Sequence, residues 1–418
     1  MFRLRVTVLG TLLAFGAHAE AATKAIKFGK LWDGHRTIMN AVVIVEDNKI
    51  QSVAANAPIP PGAQIVDLSR YTGIPGMIDV HTHMTYYWDP ASGTDPRQQP
   101  RRHVAVTVFL AQANAMKTLE AGVTTVRDLN GFDGADTAMR DLINMGAMVG
   151  PRMFVSGPGL RNNVIRRPGV TDTPAQAAKE AKAVLDAGAD WVKVFGSTGG
   201  GDDVTGNQTV SFEEMKAIID TAHASGHKVA IHSYGPDGAR EAIRAGTDTL
   251  EHATDMDDAT IGELVRKRVW YVPTINHNQH YFDRADDAYR FSAQAKQNLL
   301  NYIERNFLTA QKAFKAGARL LVGSDAVYTA YGLNMQELRW FVKLGMSNEQ
   351  ALQSATVLPA EMLGMEKNLG SVAPGYFADI VAVDGDPLTD IEVAISKVRW
   401  VMKAGSVVVD KTGATAAR

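Results

Sequence analysis

The sequence predicts an α/β fold: a (β/α)₈ (TIM) barrel joined to a β-sandwich domain that both chain ends build together. Two observations predict it. Eight short apolar runs alternate with helical stretches in the middle of the chain, and strand-like segments cluster at both ends. A chain of 418 residues, 45% of them hydrophobic and 21% charged, is long enough for one large core and a smaller one.

The first 19 residues have the features of an export signal in their usual order. Arg3 and Arg5 precede an apolar stretch at 6–16, and Ala-His-Ala at 17–19 fits a small-x-small cleavage site. The apolar stretch is too short to span a bilayer as a helix. An uncleaved apolar segment is the alternative. We therefore predict a signal peptide over residues 1–19 and an exported protein, periplasmic or secreted.

Residues 22–72 and 370–412 are predicted to form one discontinuous β domain. The apolar run at 41–45 is rich in β-branched residues and precedes turn-forming residues. Residues 398–402 have the same character near the other end of the chain. The segment between the two parts, residues 73–369, is assigned to the barrel.

The barrel strands are predicted from short apolar runs separated by segments with helical periodicity, such as residues 173–187 and 211–224. A doubly wound open sheet is the alternative, but no Gly-x-Gly-x-x-Gly follows the first strand to support it. The eight strand candidates are residues 76–83, 124–129, 152–156, 191–196, 228–233, 249–253, 270–275 and 319–325.

The composition argues against several kinds of partner and site. The chain has 43 Lys and Arg residues, 45 Asp and Glu residues and a formal net charge of -2, so we expect no nucleic-acid partner. After the signal, no segment is apolar enough to suggest a membrane partner. Because the chain has no cysteine, a metal site must use His, Asp, Glu or a modified Lys. The expected partner is a small molecule or short peptide, and a homo-oligomer is left open.

Polar residues stand at the carboxyl ends of five predicted strands, on the face that carries the active site in (β/α)₈ barrels. Strand alternation turns both His81 and His83 into the barrel mouth. Taken singly, His81 and His83 fit a surface pair, His232 or His252 fits a buried core position, and Asp325 fits a helix cap. Together they are better explained by a metal, because buried charges rarely cluster without one. The set is His81, His83, Lys193, His232, His252 and Asp325.

Lys193 is the most informative member of this set. It lies between Val192 and Val194 in a strand, and alternation turns its side chain into the barrel interior. Burial disfavours an unpaired ammonium and lowers its pKa. The neutral amine can react with CO₂ to give a carbamate, whose two oxygens suit a bridge between two metal ions. A salt bridge to Asp202 or Asp203 is the alternative.

These motifs resemble those of the amidohydrolase superfamily, in its binuclear, carboxylated-lysine subtype. The resemblance covers nearly the whole mature chain and also includes Ile78-Asp79-Val80 and the tail at 374–380. It implies that His81, His83 and Asp325 bind the more buried metal and that His232 and His252 bind the more exposed one. Carboxylated Lys193 (N6-carboxylysine) and a hydroxide would bridge the two ions.

The same resemblance implies Asp325 as the catalytic acid–base group and CO₂ as the source of the carbamate. Zn²⁺ is the expected metal, although Co²⁺ and Mn²⁺ tolerate the same ligands. Within the superfamily, residues 192–194, 199–201 and 232–235 are similar to the imidazolonepropionase-related branch, which contains Xaa-Pro and Xaa-Arg dipeptidases. The chain is also similar to bacterial enzymes that hydrolyse ochratoxin A, an amide of phenylalanine.

The resemblance implies an amide hydrolase acting on N-acyl amino acids or dipeptides with a free α-carboxylate, including the ochratoxin A amide, by attack of the bridging hydroxide. A cyclic amidase similar to dihydroorotase or imidazolonepropionase is an alternative, because dihydroorotase shares every ligand. A mononuclear deaminase is a second alternative, but it would not need Lys193.

Six residues are candidates for contacts with the substrate. The hydroxyl of Tyr234, two residues beyond His232, is placed to donate to a carboxylate, with a packing tyrosine as the alternative. The loop after the third strand carries arginines where the dipeptidases have a Gly-Gly-His-like stretch, and arginine binds carboxylates through paired hydrogen bonds, unless these side chains are solvated. Two histidines follow the seventh strand. The candidates are Tyr234, Arg161, Arg166, Arg167, His277 and His280.

Overall fold

The computed structural model describes residues 23–89, 95–99, 102–161 and 173–413. The predicted signal peptide, residues 1–19, lies outside the described residues. Within the ranges given, no helix combines the length and the apolar character needed to cross a membrane.

Both chain ends contribute to one mixed sheet, which has seven strands in the described part of the chain, in the order β15-β14-β13-β4-β1-β2-β3. β1 and β4 pair in parallel, and the other neighbours are antiparallel. Phe28, Trp400 and Met402 are buried in its core. The strands are β1 (Lys24–Trp32), β2 (Thr37–Glu46), β3 (Lys49–Ala55), β4 (Gln64–Pro75), β13 (Ile380–Val383), β14 (Val398–Lys403) and β15 (Ser406–Asp410).

Eight parallel strands lie between these two parts in the described chain and form a closed barrel. β5–β7 and β8–β12 form two continuous runs. The N–H of Leu160 donates to the Lys193 carbonyl at 2.8 Å, and the N–H of Val80 donates to the Val322 carbonyl at 3.0 Å, which closes the ring. The strands are β5 (Met77–Thr82), β6 (Val123–Asp128), β7 (Arg152–Val155), β8 (Trp191–Phe195), β9 (Lys228–Ser233), β10 (Thr249–His252), β11 (Trp270–Val272) and β12 (Arg319–Leu320).

Helices follow most of these strands, and six of the twelve described α-helices begin at a side-chain cap. Before α4, the Ser211 hydroxyl accepts the N–H of Glu214, whose carboxylate accepts the N–H of Ser211 in return. The helices are α1 (Val104–Glu120), α2 (Ala135–Asn144), α3 (Pro174–Asp186), α4 (Phe212–Ala224), α5 (Pro236–Ala245), α6 (Asp258–Arg266), α7 (Ile275–Asp283), α8 (Ala293–Lys315), α9 (Glu337–Leu344), α10 (Asn348–Gln353), α11 (Val357–Leu363) and α12 (Glu392–Ser396).

The structure confirms the predicted fold class, but the last two barrel strands are shorter than the sequence predicts. β11 ends at Val272 because Pro273 has no N–H to donate and Thr274 has a φ of 48°. β12 ends at Leu320, and the chain continues through single hydrogen bonds, such as that from the Leu321 N–H to the Tyr271 carbonyl at 3.0 Å. The open doubly wound alternative is wrong, because the sheet closes.

The mixed sheet positions the first barrel strand directly. β4 runs into β5 through Gly76, whose N–H donates to the Asp379 carbonyl at 2.8 Å. A Cβ at this glycine would lie 2.2 Å from the Thr124 hydroxyl oxygen, so no larger residue fits without a shift. Arg152 of β7 donates to the Asp379 carboxylate at 2.6 Å. These contacts fix the position of β5, which carries His81 and is followed directly by His83.

Candidate metal centre

The six polar residues predicted from the strand ends line one cavity of about 190 Å³ at the carboxyl end of the barrel. Ligand atoms of His81, His83 and Asp325 all lie within 4.8 Å of one another. The Asp325 Oδ1 is 2.9 Å from Nε2 of His83 and 3.6 Å from Nε2 of His81. The His252 ring lies beside them, with centroids 5.2 Å from that of His81 and 4.5 Å from that of His232.

The backbone is strained at two of these positions. His252 has a φ of 71° and Asp325 a φ of 49°, in the left-handed region that side-chain-bearing residues rarely adopt. The Asp325 N–H donates to the His81 carbonyl at 2.7 Å and holds the two strand ends together. Strain of this kind collects at functional sites because the surrounding structure maintains it.

The protonation states suit cation binding. Burial, followed by the nearby Lys193, lowers the pKa of His81 to about 4. Burial lowers the pKa of His232 and of His252 well below the usual value. Burial alone would raise the pKa of Asp325, but His277, His81 and His83 outweigh it and hold that pKa well below its usual value. At neutral pH the site offers neutral imidazoles and a carboxylate, the forms that bind metals.

Lys193 is buried, and its Nζ has no hydrogen-bond partner among the described residues. The predicted alternative, a salt bridge to Asp202 or Asp203, is not formed. Asp202 pairs with Arg97, and Asp203 accepts the Thr205 hydroxyl at 2.6 Å. Burial lowers the pKa of Lys193 to about 8, which makes the neutral amine accessible. This environment fits the carbamate expected at Lys193.

The unsatisfied atoms also fit a cation site. Like Nζ of Lys193, the Nε2 of His232 is buried without a partner among the described residues. Buried polar atoms in folded proteins almost always have partners. Two such atoms on neighbouring strands, beside the anionic Asp325, indicate ligands that face a common cation.

Arg127 and Glu251 support the site but were missed by the sequence reasoning. The His81 Nδ1 donates to the Glu251 carboxylate at 2.7 Å, and Arg127 Nη2 donates to its other oxygen at 2.9 Å. Burial alone would raise the pKa of Glu251, but Arg127 and His81 hold it at about 2. Because Nδ1 carries the proton, the Nε2 lone pair of His81 is free for a metal. The signal that singled out Lys193, a charged residue inside an apolar strand, also applies here.

Two of the predicted substrate residues line the cavity. Tyr234 is 1% exposed, packs between Tyr302 and His252, and its hydroxyl donates to Asn278 Oδ1 at 3.4 Å. The His277 Nδ1 donates to the Asp325 carbonyl at 2.8 Å, and its Nε2 is 3.3 Å from the Asp325 carboxylate. His277 is therefore placed to orient Asp325.

The other predicted substrate residues are not brought to this cavity. Arg161 pairs with Glu180 and Glu214 on α3 and α4, and these carboxylates hold its guanidinium away from the barrel mouth. His280 binds the Thr329 hydroxyl at 2.7 Å and lines a separate surface groove. Arg166 and Arg167 lie outside the described residues.

A cation that the sequence reasoning missed does line the cavity. Arg97 donates to Asp95 at 2.7 Å, pairs with Asp202 and lies over the Phe291 ring. Arg97 does not follow a predicted strand, so the sequence pattern does not indicate that its side chain lines the cavity.

A family model described as the amidohydrolase family matches residues 72–408. The chain belongs to the amidohydrolase family. It is 27% identical over 421 residues to the ochratoxinase of Aspergillus niger, covering 91% of this chain and 85% of that protein. It is also 23% identical over 390 residues to the imidazolonepropionase of Streptomyces avermitilis, covering 83% and 81% respectively.

A solved structure of a Xaa-Pro dipeptidase with methionine bound in its active site is similar as well. It has a TM-score of 0.82 and 28% identity and covers 92% of this chain and 99% of that one. These matches confirm the superfamily and the branch that the sequence motifs resemble. The family supports a hydrolase that acts on carbon–nitrogen bonds.

We predict that Glu251→Gln weakens metal binding by about 10-fold to 100-fold, the usual cost of losing a partner that orients a metal-binding histidine. Glutamine keeps the size of the side chain but removes the charge that fixes the His81 tautomer. Competition with a chelator measures the affinity, and thermal unfolding checks the fold. Glu263→Gln on α6 removes an ion pair with Lys267, the residue that follows this helix, and serves as the control. Equal metal affinities for both variants would contradict the role of Glu251.

Proposed function

We propose that the protein is a binuclear metal-dependent amidase that cleaves N-acyl amino acids or dipeptides with a free α-carboxylate. The observation that carries this proposal is the buried Nζ of Lys193, which has no hydrogen-bond partner among the described residues and lies in a cavity shared with five histidines and Asp325. A mononuclear deaminase has no use for that lysine.

The ligands divide into two groups around Lys193. His81, His83 and Asp325 would hold one cation, and their mutual distances support this grouping. His232 and His252, on neighbouring strands, would hold the other. Carboxylated Lys193 would bridge the two groups. Nitrogen and carboxylate oxygen ligands favour Zn²⁺ as the expected metal.

When bound, paired divalent cations supply a water acidic enough to attack at neutral pH and a positive charge that stabilises the oxyanion. Asp325 accepts the proton of the attacking water on its carboxylate and passes it to the leaving amine. His277 supports this role, because its two ring nitrogens contact Asp325 on the carbonyl and on the carboxylate.

The substrate preference follows from charge and shape. Two dications with Asp325 and the carbamate as anionic ligands leave the site net positive, which favours an anionic substrate. The Tyr234 hydroxyl, whose bond to Asn278 Oδ1 is long at 3.4 Å, is proposed to turn from that partner and donate to the leaving-group carboxylate. The cavity is lined by Tyr86, Phe195, Tyr281 and Tyr328, which suit an aromatic group such as phenylalanine. An ochratoxin-type amide therefore belongs among the candidate substrates.

A cyclic amidase is the second candidate function. The match to an imidazolonepropionase favours it, and its chemistry needs the same polarised water. The two candidates differ in the product, because a cyclic substrate opens without releasing an amino acid. Parallel assays with linear and cyclic amides separate them.

We predict that Lys193→Ala loses most activity, because the bridging anion is absent. Short carboxylic acids at high concentration should restore part of it by supplying a carboxylate in the same space. Lys228→Ala, which removes another barrel lysine that donates to the Met362 carbonyl, is the control and should keep wild-type turnover. Wild-type turnover in Lys193→Ala would show that no bridging carbamate is needed.

We predict that capping the α-carboxylate of a good substrate as its carboxamide or methyl ester lowers kcat/KM by about tenfold or more, the cost of losing a hydrogen bond to a charged group. Tyr234→Phe should discriminate less between capped and free substrates. The measurement compares kcat/KM for matched substrate pairs. If capping and Tyr234→Phe both leave kcat/KM unchanged, this specificity is wrong, while the metal chemistry stands.

A further inference from the structure

Tyr86 forms the wall of the cavity beside His83. The two rings stack with centroids 4.8 Å apart and planes 28° from parallel, and Phe132 stacks on the other side at 5.5 Å. The Tyr86 N–H donates to the His83 carbonyl at 2.8 Å, and its carbonyl accepts the Tyr328 N–H at 3.2 Å. Ring and backbone are therefore fixed next to a proposed metal ligand.

The hydrogen bonds around Tyr86 fix the direction of its hydroxyl proton. Asn130 Oδ1 accepts the backbone N–H of Gly159 at 2.8 Å, and a backbone N–H can only donate. The amide is thereby oriented, and its Nδ2 donates to the Tyr86 hydroxyl oxygen at 2.6 Å. The hydroxyl proton of Tyr86 is therefore available to another acceptor, and no described residue provides such an acceptor.

The backbone of Asn130 is held in an unusual conformation that supports this arrangement. Asn130 is 1% exposed and has a φ of 123°, which a residue with a side chain rarely adopts. The N–H of the next residue, Gly131, donates to the Gly157 carbonyl at 2.9 Å and fixes the turn. The strained turn places the Asn130 amide between Gly159 and Tyr86.

We propose that the Tyr86 hydroxyl, aligned by Asn130, donates a hydrogen bond to the carbonyl oxygen of the substrate's acyl group. This inference rests on the proposed function, in which Tyr234 binds the carboxylate of the leaving group. Tyr234 packs on His232 and His252 of β9 and β10, whereas Tyr86 packs on His83, just past the end of β5. β5 and β9 are four strands apart in a barrel of eight, so Tyr86 and Tyr234 lie on opposite sides of the site. When the leaving-group carboxylate binds Tyr234, the acyl group of the substrate faces Tyr86.

A donor at this oxygen gains strength as negative charge develops there, so its loss lowers kcat more than it changes KM. Tyr86→Phe keeps the ring and removes the proton. We expect kcat to fall by about tenfold or more and KM to stay within about twofold. Tyr71→Phe, which removes a hydroxyl in the core of the mixed sheet, is the control and should match the wild type.

Asn130→Asp tests the direction of the hydrogen bond. An aspartate still accepts the Gly159 N–H but cannot donate to Tyr86, so the Tyr86 proton turns to the new carboxylate and away from the substrate. We expect a fall in kcat similar to that of Tyr86→Phe. The double variant should lose no more than either single one, within about twofold.

Several outcomes would overturn this inference. A wild-type kcat in Tyr86→Phe would show that the Tyr86 hydroxyl does not donate to the substrate. A further loss when Asn130→Asp is added to Tyr86→Phe shows that the new charge, rather than the reversed hydrogen bond, causes the effect.

Affinity for an N-methylphosphonyl amino acid, measured by calorimetry, gives a readout without turnover and should weaken about tenfold in both single variants. If the wild type neither hydrolyses N-acyl amino acids nor binds this probe, the proposed function fails, and this inference fails with it.

Discussion

Lys193 is buried with no hydrogen-bond partner among the described residues, and the rest of the site is organised around this constraint. An ammonium in that position would be costly, and no carboxylate in the described part of the chain forms an ion pair with it to offset the cost. The neighbouring imidazoles are held neutral by burial, whereas Asp325 is held ionised by its histidine neighbours. A site of this composition fits a metal centre and is difficult to explain as ordinary packing.

The supporting residues show how the barrel maintains this arrangement. Glu251 fixes the tautomer of His81, and Arg127 neutralises Glu251 in a fully buried pair. Removing one member of such a pair leaves an uncompensated charge, so the pair acts as a unit. On the other side of the site, the His277 Nδ1 donates to the Asp325 carbonyl at 2.8 Å and fixes the backbone that carries this carboxylate. The strained Asp325 is held from both sides, because its N–H donates to the His81 carbonyl and its own carbonyl accepts His277 Nδ1.

Much of this site could be predicted from the sequence, because strand alternation and barrel geometry place strand-end side chains together. His81, Lys193, His232 and Asp325 followed from that rule and do line one cavity. Arg97 lies in a single 3-10 turn between β5 and α1, which is too short for any periodicity to indicate the direction of its side chain. Arg161 has the right charge in the right loop, but Glu180 and Glu214 bind it elsewhere. Tertiary pairing of this kind leaves no local signal in a sequence.

The number of metal ions per chain tests the account most directly, because the proposed chemistry depends on two ions bridged through Lys193. Protein purified without chelators is analysed for its elements, and the same preparation is assayed for amide hydrolysis. The account predicts about two divalent ions per chain in fully active protein. A content near one ion per chain, with full activity, would contradict it.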